Sequence, residues 1–223
     1  MNRLQTEIQR LYLTDEPARV RAAVLELAAP ADWTVLGQVW RGVQSDLGLP
    51  APAIAVSGRD GYQLWFSLSA ALPAAQAAAL LEGLRQRYLP GLPLKRIKTW
   101  PAAHADTSTS TLQPPPRLAL SGQWAAFLAP DLAPVFADEP WLDTAPNEEG
   151  QADLLQGLLS IKPEALEQAL NQLGAKPLAS ASRAEASTSQ AGASSDPRQF
   201  LLRVMNDESQ DMALRIEAAK ALL

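Results

Sequence analysis

Ala53-Ile54-Ala55-Val56-Ser57-Gly58-Arg59-Asp60-Gly61-Tyr62-Gln63-Leu64-Trp65-Phe66-Ser67-Leu68 places two apolar runs on either side of a polar turn. The first run, Ala53–Ser57, is short and apolar; the second, Tyr62–Leu68, alternates and is rich in aromatics. Both suit strands. Gly58-Arg59-Asp60-Gly61 between them carries an Asp-Gly pair, a strong hairpin signal. A β-hairpin here requires further strands or helices to bury its faces, since an isolated hairpin is marginal in water.

Working outward toward the amino terminus, Pro50 and Pro52 break the chain before the hairpin. Upstream, Leu36, Trp40, Val43 and Leu47 recur at helical spacing after the start signal Pro30-Ala31-Asp32, and Gly48 is placed to end that helix. Arg19–Ala28 contains the apolar run Ala22–Leu25 and reads as a buried strand. Leu4, Ile8 and Leu11 form one stripe of a helix within Met1–Leu13.

In the other direction, Pro73 opens a helix carrying Leu80, Leu81, Leu84 and Tyr88, and Pro90-Gly91 stops it. Leu94–Trp100 alternates apolar and basic residues and reads as a half-exposed strand. Ala102–Pro116 is a loop and Arg117–Leu120 a strand. Trp124, Phe127, Leu128, Leu132 and Phe136 predict a helix over Gly122–Phe136, interrupted at Pro130 and Pro134. Helices follow at Gln151–Ser160 and Pro163–Leu173. The expected fold class is α+β: a mixed or antiparallel central sheet with packed helices over residues 1–174.

Ala175–Ser195 changes composition to Ala, Ser and Thr, which cannot bury enough apolar surface to offset its ordering entropy. It predicts a disordered linker over 175–195. Asp196-Pro197 then starts a helical hairpin over 196–223, with Phe200, Leu201, Val204 and Met205 on one helix and Met212, Ile216, Ala219 and Leu223 on the other. A hairpin of that size must dock on something.

The chain has 223 residues, no cysteine and a formal net charge of −5. Absence of cysteine excludes a disulfide scaffold, a thiolate metal site and a Cys nucleophile. Arg3, Glu7 and Arg10 interrupt the amino-terminal apolar residues, unlike a secretory signal. No segment approaches the roughly 20 apolar residues of a membrane span. These features predict a cytoplasmic protein with no membrane partner. Charge is distributed unevenly. Gly83–Ala105 has no acid but holds Arg85, Arg87, Lys95, Arg96, Lys98 and the sole histidine, His104. Leu118–Ile161 has no Lys or Arg but many acids, Asp138 to Asp153 among them. One His without an acid motif or a Gly-x-Ser-x-Gly elbow supports no hydrolase triad.

The succession Val24–Ala28, Asp32–Leu47, Gly48-Leu49-Pro50, Ala53–Val56, Ser57-Gly58-Arg59-Asp60-Gly61 and Tyr62–Leu68 resembles the archaeo-eukaryotic primase superfamily. It is closest to the polymerase domain of bacterial multifunctional DNA ligases, and the likeness spans about residues 20–88. The resemblance places the family's two metal-binding carboxylates at the positions of Glu26 and Ala28, of which only Glu26 could bind a metal, its phosphate-contacting His at the position of Gln63, and a phosphate-facing turn at Ser57, Gly58 and Gly61. A third metal-binding Asp is expected on a later strand; near Leu94–Trp100 there is none, and Asp106 and Asp131 are the nearest acids. Two-metal catalysis needs carboxylates to offset the charge of two cations roughly 3.5–4 Å apart, and Ala28 supplies none. The string Val204-Met205-Asn206-Asp207 with Arg215–Lys220 resembles segments of phage terminase small subunits, in keeping with a mobile-element setting.

The leading expectation is therefore a catalytically degenerate primase-polymerase-like protein. It would bind nucleic acid, or a nucleic-acid-processing partner, through Arg59, Arg85, Arg87, Lys95, Arg96, Lys98 and Trp100, with cations contacting phosphates and the aromatic stacking on bases. Glu26 is a residual metal ligand or simply a strand terminus. The 57–61 segment faces phosphate or is a plain turn, and the basic run is a nucleic-acid surface or a solvated face. No cofactor is expected; Mg²⁺ or Mn²⁺ enters only in a third reading, an active nucleotidyltransferase, which would have to explain Ala28 and Gln63. The alternative from a different class is an interaction protein whose tethered 196–223 hairpin captures a protein partner.

Overall fold

The computed structural model describes residues 2–102 and 112–175. Residues 176–195 of the expected linker, the expected hairpin over 196–223, His104 and Asp106 lie outside the described residues.

Chain order begins α1 (Arg3–Tyr12), β1 (Arg19–Leu27), α2 (Trp33–Ser45), β2 (Ala53–Val56), β3 (Tyr62–Pro73), α3 (Ala74–Tyr88) and β4 (Ile97–Trp100). It continues with β5 (Arg117–Leu118), β6 (Trp124–Leu128), α4 (Glu148–Gln156) and α5 (Pro163–Gln172). Local signals set the helix starts. The Asn2 side chain accepts from the Gln5 amide at 2.8 Å, and the Asp32 carboxylate accepts from the Thr34 and Val35 amides at 2.8 and 3.4 Å. Asn147 caps α4, with Glu148 and Glu149 in its first turn where the helix dipole favours acids. Pro163 begins α5 at a position that needs no amide.

All the strand pairings are antiparallel, in one curled six-stranded sheet of order β4-β1-β3-β2-β6-β5. The class is α+β, with the antiparallel form of the two sheets expected. Elements β1-α2-β2-β3-α3-β4, with β1 and β3 central, make the split β-α-β arrangement of ferredoxin-like folds. Leu25, Leu27, Leu64 and Phe66 face α2, α3 and α5 on one side. Ala22, Val24, Ala55 and Trp65 face α1 and α4 on the other. Burial on both faces explains why β2 reads as an unbroken apolar run instead of alternating.

The helix expected over Gly122–Phe136 is absent. Trp124–Leu128 is strand β6, and only Ala133–Phe136 turns, as a single 3-10 turn. A short apolar run buried on both faces carries no period-2 signature, so its spacing mimics a helix. Gly122, at φ +85°, makes the tight entry from β5, and Pro130 bars helix continuation. Pairing decides the outcome: β6 joins β2, and the buried Gln151 side chain of α4 makes two bonds with its backbone. Gln151 Oε1 accepts from the Phe127 amide at 2.8 Å, and Gln151 Nε2 donates to the Phe127 carbonyl at 3.0 Å. Replacing Gln151 with leucine orphans both groups and is expected to lower stability by about 2–3 kcal/mol, measured by urea unfolding.

Other boundaries differ: the helix expected at Gln151–Ser160 is α4 at Glu148–Gln156, and the strand expected at Arg117–Leu120 ends at Leu118. Leu94–Arg96 is a 3-10 turn, so the expected strand begins only at Ile97. β3 runs on to Pro73 past an irregularity opposite Arg21, where the Arg21 and Arg19 side chains donate to the Leu68 and Ala71 carbonyls. Its extension is Ala-rich and has no strand signature of its own. Among the described residues no helix is long and apolar enough to cross a membrane.

Candidate functional site

Strand register builds the site. On the face shared with α1 and α4, Lys98 of β4, Glu26 of β1 and Gln63 of β3 stand in one row, because Glu26 pairs with both Lys98 and Gln63. The neighbouring row is Trp100, Val24 and Trp65. The α1 and α4 layer leaves part of this face open. What remains is a cleft of about 310 Å³ lined by both rows and by Leu112, Gln113 and Arg117.

The polar row is closely bonded. Lys98 Nζ donates to Glu26 Oε1 at 2.7 Å, and Gln63 Nε2 donates to Glu26 Oε2 at 2.6 Å. Gln63 Oε1 in turn accepts from the Trp65 indole at 2.9 Å. A second carboxylate, Asp60, lies 3.8 Å from Lys98 Nζ. Glu26 keeps 15% of its side chain accessible and Lys98 49%, so the carboxylate lies low in the cleft with the ammonium nearer solvent. Trp65 is 3% exposed and joins the cleft to the aromatic layer beneath it, whereas Trp100 is half-buried.

Arg117 was not singled out by sequence reasoning. Its guanidinium lines the cleft and makes no ion pair or hydrogen bond among the described residues. One sequence signal was available: it is the sole Lys or Arg between Lys98 and Lys162, in an otherwise acidic stretch.

The structure separates the other basic residues from this cleft. Arg85 and Arg87 lie on α3, which packs on the opposite sheet face. Arg85 pairs with Glu82 at 2.6 Å. Arg87 lies 3.5 Å from Asp46 and over the Tyr88 ring, whose hydroxyl donates to Asp46 at 3.0 Å. The Ser45 and Tyr88 hydroxyls hold Asp46 below the usual carboxylate range. Arg96 donates to the Pro30 carbonyl at 2.6 Å, while Lys95 and Arg59 are exposed.

The turn at 57–61 is closed on itself. Ser57 Oγ accepts from the amides of Arg59, Asp60 and Gly61 at 3.3, 3.1 and 3.0 Å, and the Gly58 amide donates to the Pro140 carbonyl at 3.2 Å. Both glycines are required by packing. Gly58 has φ +76°, and a Cβ there would lie 2.7 Å from the Ala125 amide nitrogen; a Cβ at Gly61 would lie 2.3 Å from the Leu27 carbonyl oxygen. Every amide of the turn is thus engaged within the protein. Ala28 is buried and donates its amide to the Arg96 carbonyl at 2.8 Å.

Chemically, the cleft offers an aromatic wall, two cations of which Arg117 has no ion-pair partner among the described residues, and a low-lying carboxylate held between an ammonium and an amide. No known family model matches the chain, and no curated protein is significantly similar to it.

Proposed function

We propose that this chain is a catalytically degenerate primase-polymerase-like domain that binds single-stranded nucleic acid in the Trp100 cleft. The observation that carries this reading is the row Lys98–Glu26–Gln63. Positions 26 and 63, which the family resemblance links to metal and phosphate, face each other across β1 and β3. The β-α-β-β-α-β order around them is that of sheets whose open face stacks unpaired bases on aromatic side chains, an analogy at the level of fold.

The donor set does not suit a divalent ion. Each Glu26 oxygen already accepts from a side-chain donor, and one of these is a cation 2.7 Å away that would repel a metal. Ala28 has no ligand atom, and among the described residues no group of three or more acids and histidines could share an ion. Lys98 instead provides a fixed positive charge. With Arg117 it suits the phosphates of a strand, while Trp100 suits a base that is free of its pairing partner.

Fluorescence anisotropy with labelled single-stranded and duplex oligonucleotides, at about 50 and 200 mM salt, tests this reading. The expected result is preferential binding of the single strand, weakened by salt and unchanged by EDTA. No binding of either form at low salt would overturn it.

A further inference from the structure

Granted a nucleotide in the cleft, as proposed above, we infer that its base is guanine. Carboxylate chemistry carries the choice. An ionised carboxylate is an acceptor only, with about four lone-pair sites. Glu26 has given one on each oxygen, to Lys98 and to Gln63. Among the described residues no other side chain donates to it, and the remaining two can receive a pair of parallel donors from a ligand. Beside them the Lys98 ammonium has further protons to donate, and it lies 2.7 Å from Glu26 Oε1. The cleft therefore presents a donor next to two acceptors.

The pairing edges of the bases differ in how they meet that array. Guanine carries an acceptor, O6, followed by two adjacent donors, the N1–H and the N2 amino group, and fills all three positions. Adenine and cytosine present an amino donor beside a ring acceptor, and thymine or uracil a single donor between two acceptors. Each of these leaves an acceptor facing the carboxylate or a protein group unpaired. A buried polar group without its partner is the costly case. Gln63 holds the carboxylate in orientation and is itself held by the Trp65 indole, so the array is preorganised by the sheet register. Trp100 supplies a stacking wall that accepts any base and does not discriminate.

A guanine in a strand and a free guanine nucleotide share this chemistry, and one experiment separates them. Wild-type protein is titrated with labelled oligothymidine carrying a single central dG, dA, dC or dT, and with GMP, AMP, CMP and UMP as competitors. The expected result is a preference for dG of roughly tenfold to a hundredfold, the range of one good bidentate base contact, with GMP the strongest competitor. Glu26→Gln, nearly isosteric, should bring the four oligonucleotides to similar affinity, and Trp100→Ala should weaken all four alike. Equal wild-type affinity for all four central bases, with no advantage for GMP, overturns the guanine assignment while leaving the single-strand reading intact. Binding of GMP without binding of any oligonucleotide supports the guanine site and overturns the single-strand reading. Failure of every oligonucleotide and every mononucleotide to bind overturns both. The wild-type base series decides the matter even if the Glu26 variant is unstable.

Discussion

Replacing Trp65 with alanine is expected to lower the free energy of unfolding by about 3–5 kcal/mol, the cost of deleting a large aromatic from a packed interior. The indole is buried at the centre of the layer between the sheet and α1. It meets the Tyr12 ring edge-on at 5.3 Å and the Phe127 ring at 6.0 Å, and Tyr12 and Phe127 stack on each other at 6.0 Å. Removing it leaves a cavity lined by aromatics that cannot collapse, because Phe127 is pinned in β6 through Gln151. Trp65→Phe retains most of the volume and should cost less than about 1.5 kcal/mol. It loses only the indole bond to Gln63, so it should loosen the cleft while sparing the core. Urea unfolding of the two variants, followed by circular dichroism, checks this. A loss below about 1 kcal/mol for the alanine variant would contradict the packing argument.

The second large effect concerns binding. Lys98→Gln combined with Arg117→Gln removes both cations of the cleft while leaving Glu26 a neutral donor beside it. For a single strand each lost phosphate contact reduces the slope of log affinity against log salt by about 0.7, so the double variant should flatten it by about 1.4. Affinity at low salt should fall at least about tenfold, since each contact supplies counterion release that salt otherwise opposes. An unchanged slope would place the nucleic-acid contacts elsewhere. Arg85→Gln with Arg87→Gln is the matched control. Those guanidinium groups are committed to Glu82 and Asp46 on the opposite face, so binding should be unaffected.

Together these effects describe a sheet face in which one end has become core and the other a polar cleft. Trp65 belongs to both, as packing below and as the anchor of Gln63 above. A stability defect and a binding defect at this residue are therefore separable only through the phenylalanine variant.

By itself the sequence determined most of the elements and the fold class. The caps Asp32 and Asn2, Gly48, the prolines and the 53–68 hairpin are local signals, and local signals survive in isolation because they act within a few residues. It also singled out Glu26, Gln63, Lys98 and Trp100, by family likeness and by charge pattern separately. Only the tertiary structure decided that these four meet. Register sets which residues stand opposite across strands, and a one-residue slip would have sent Glu26 to the face packed against α2 and α3. The same long-range pairing made Trp124–Leu128 a strand, where its own spacing suggested a helix. It brought Arg117 to the cleft from beyond the loop after Trp100. It also sent Arg85 and Arg87, near neighbours of Lys98 in the chain, to the other side of the sheet, because α3 packs on the face from which Lys98 points away. Nearness along the chain fixes the local conformation of a segment, whereas the company its side chains keep is set by pairing across the sheet.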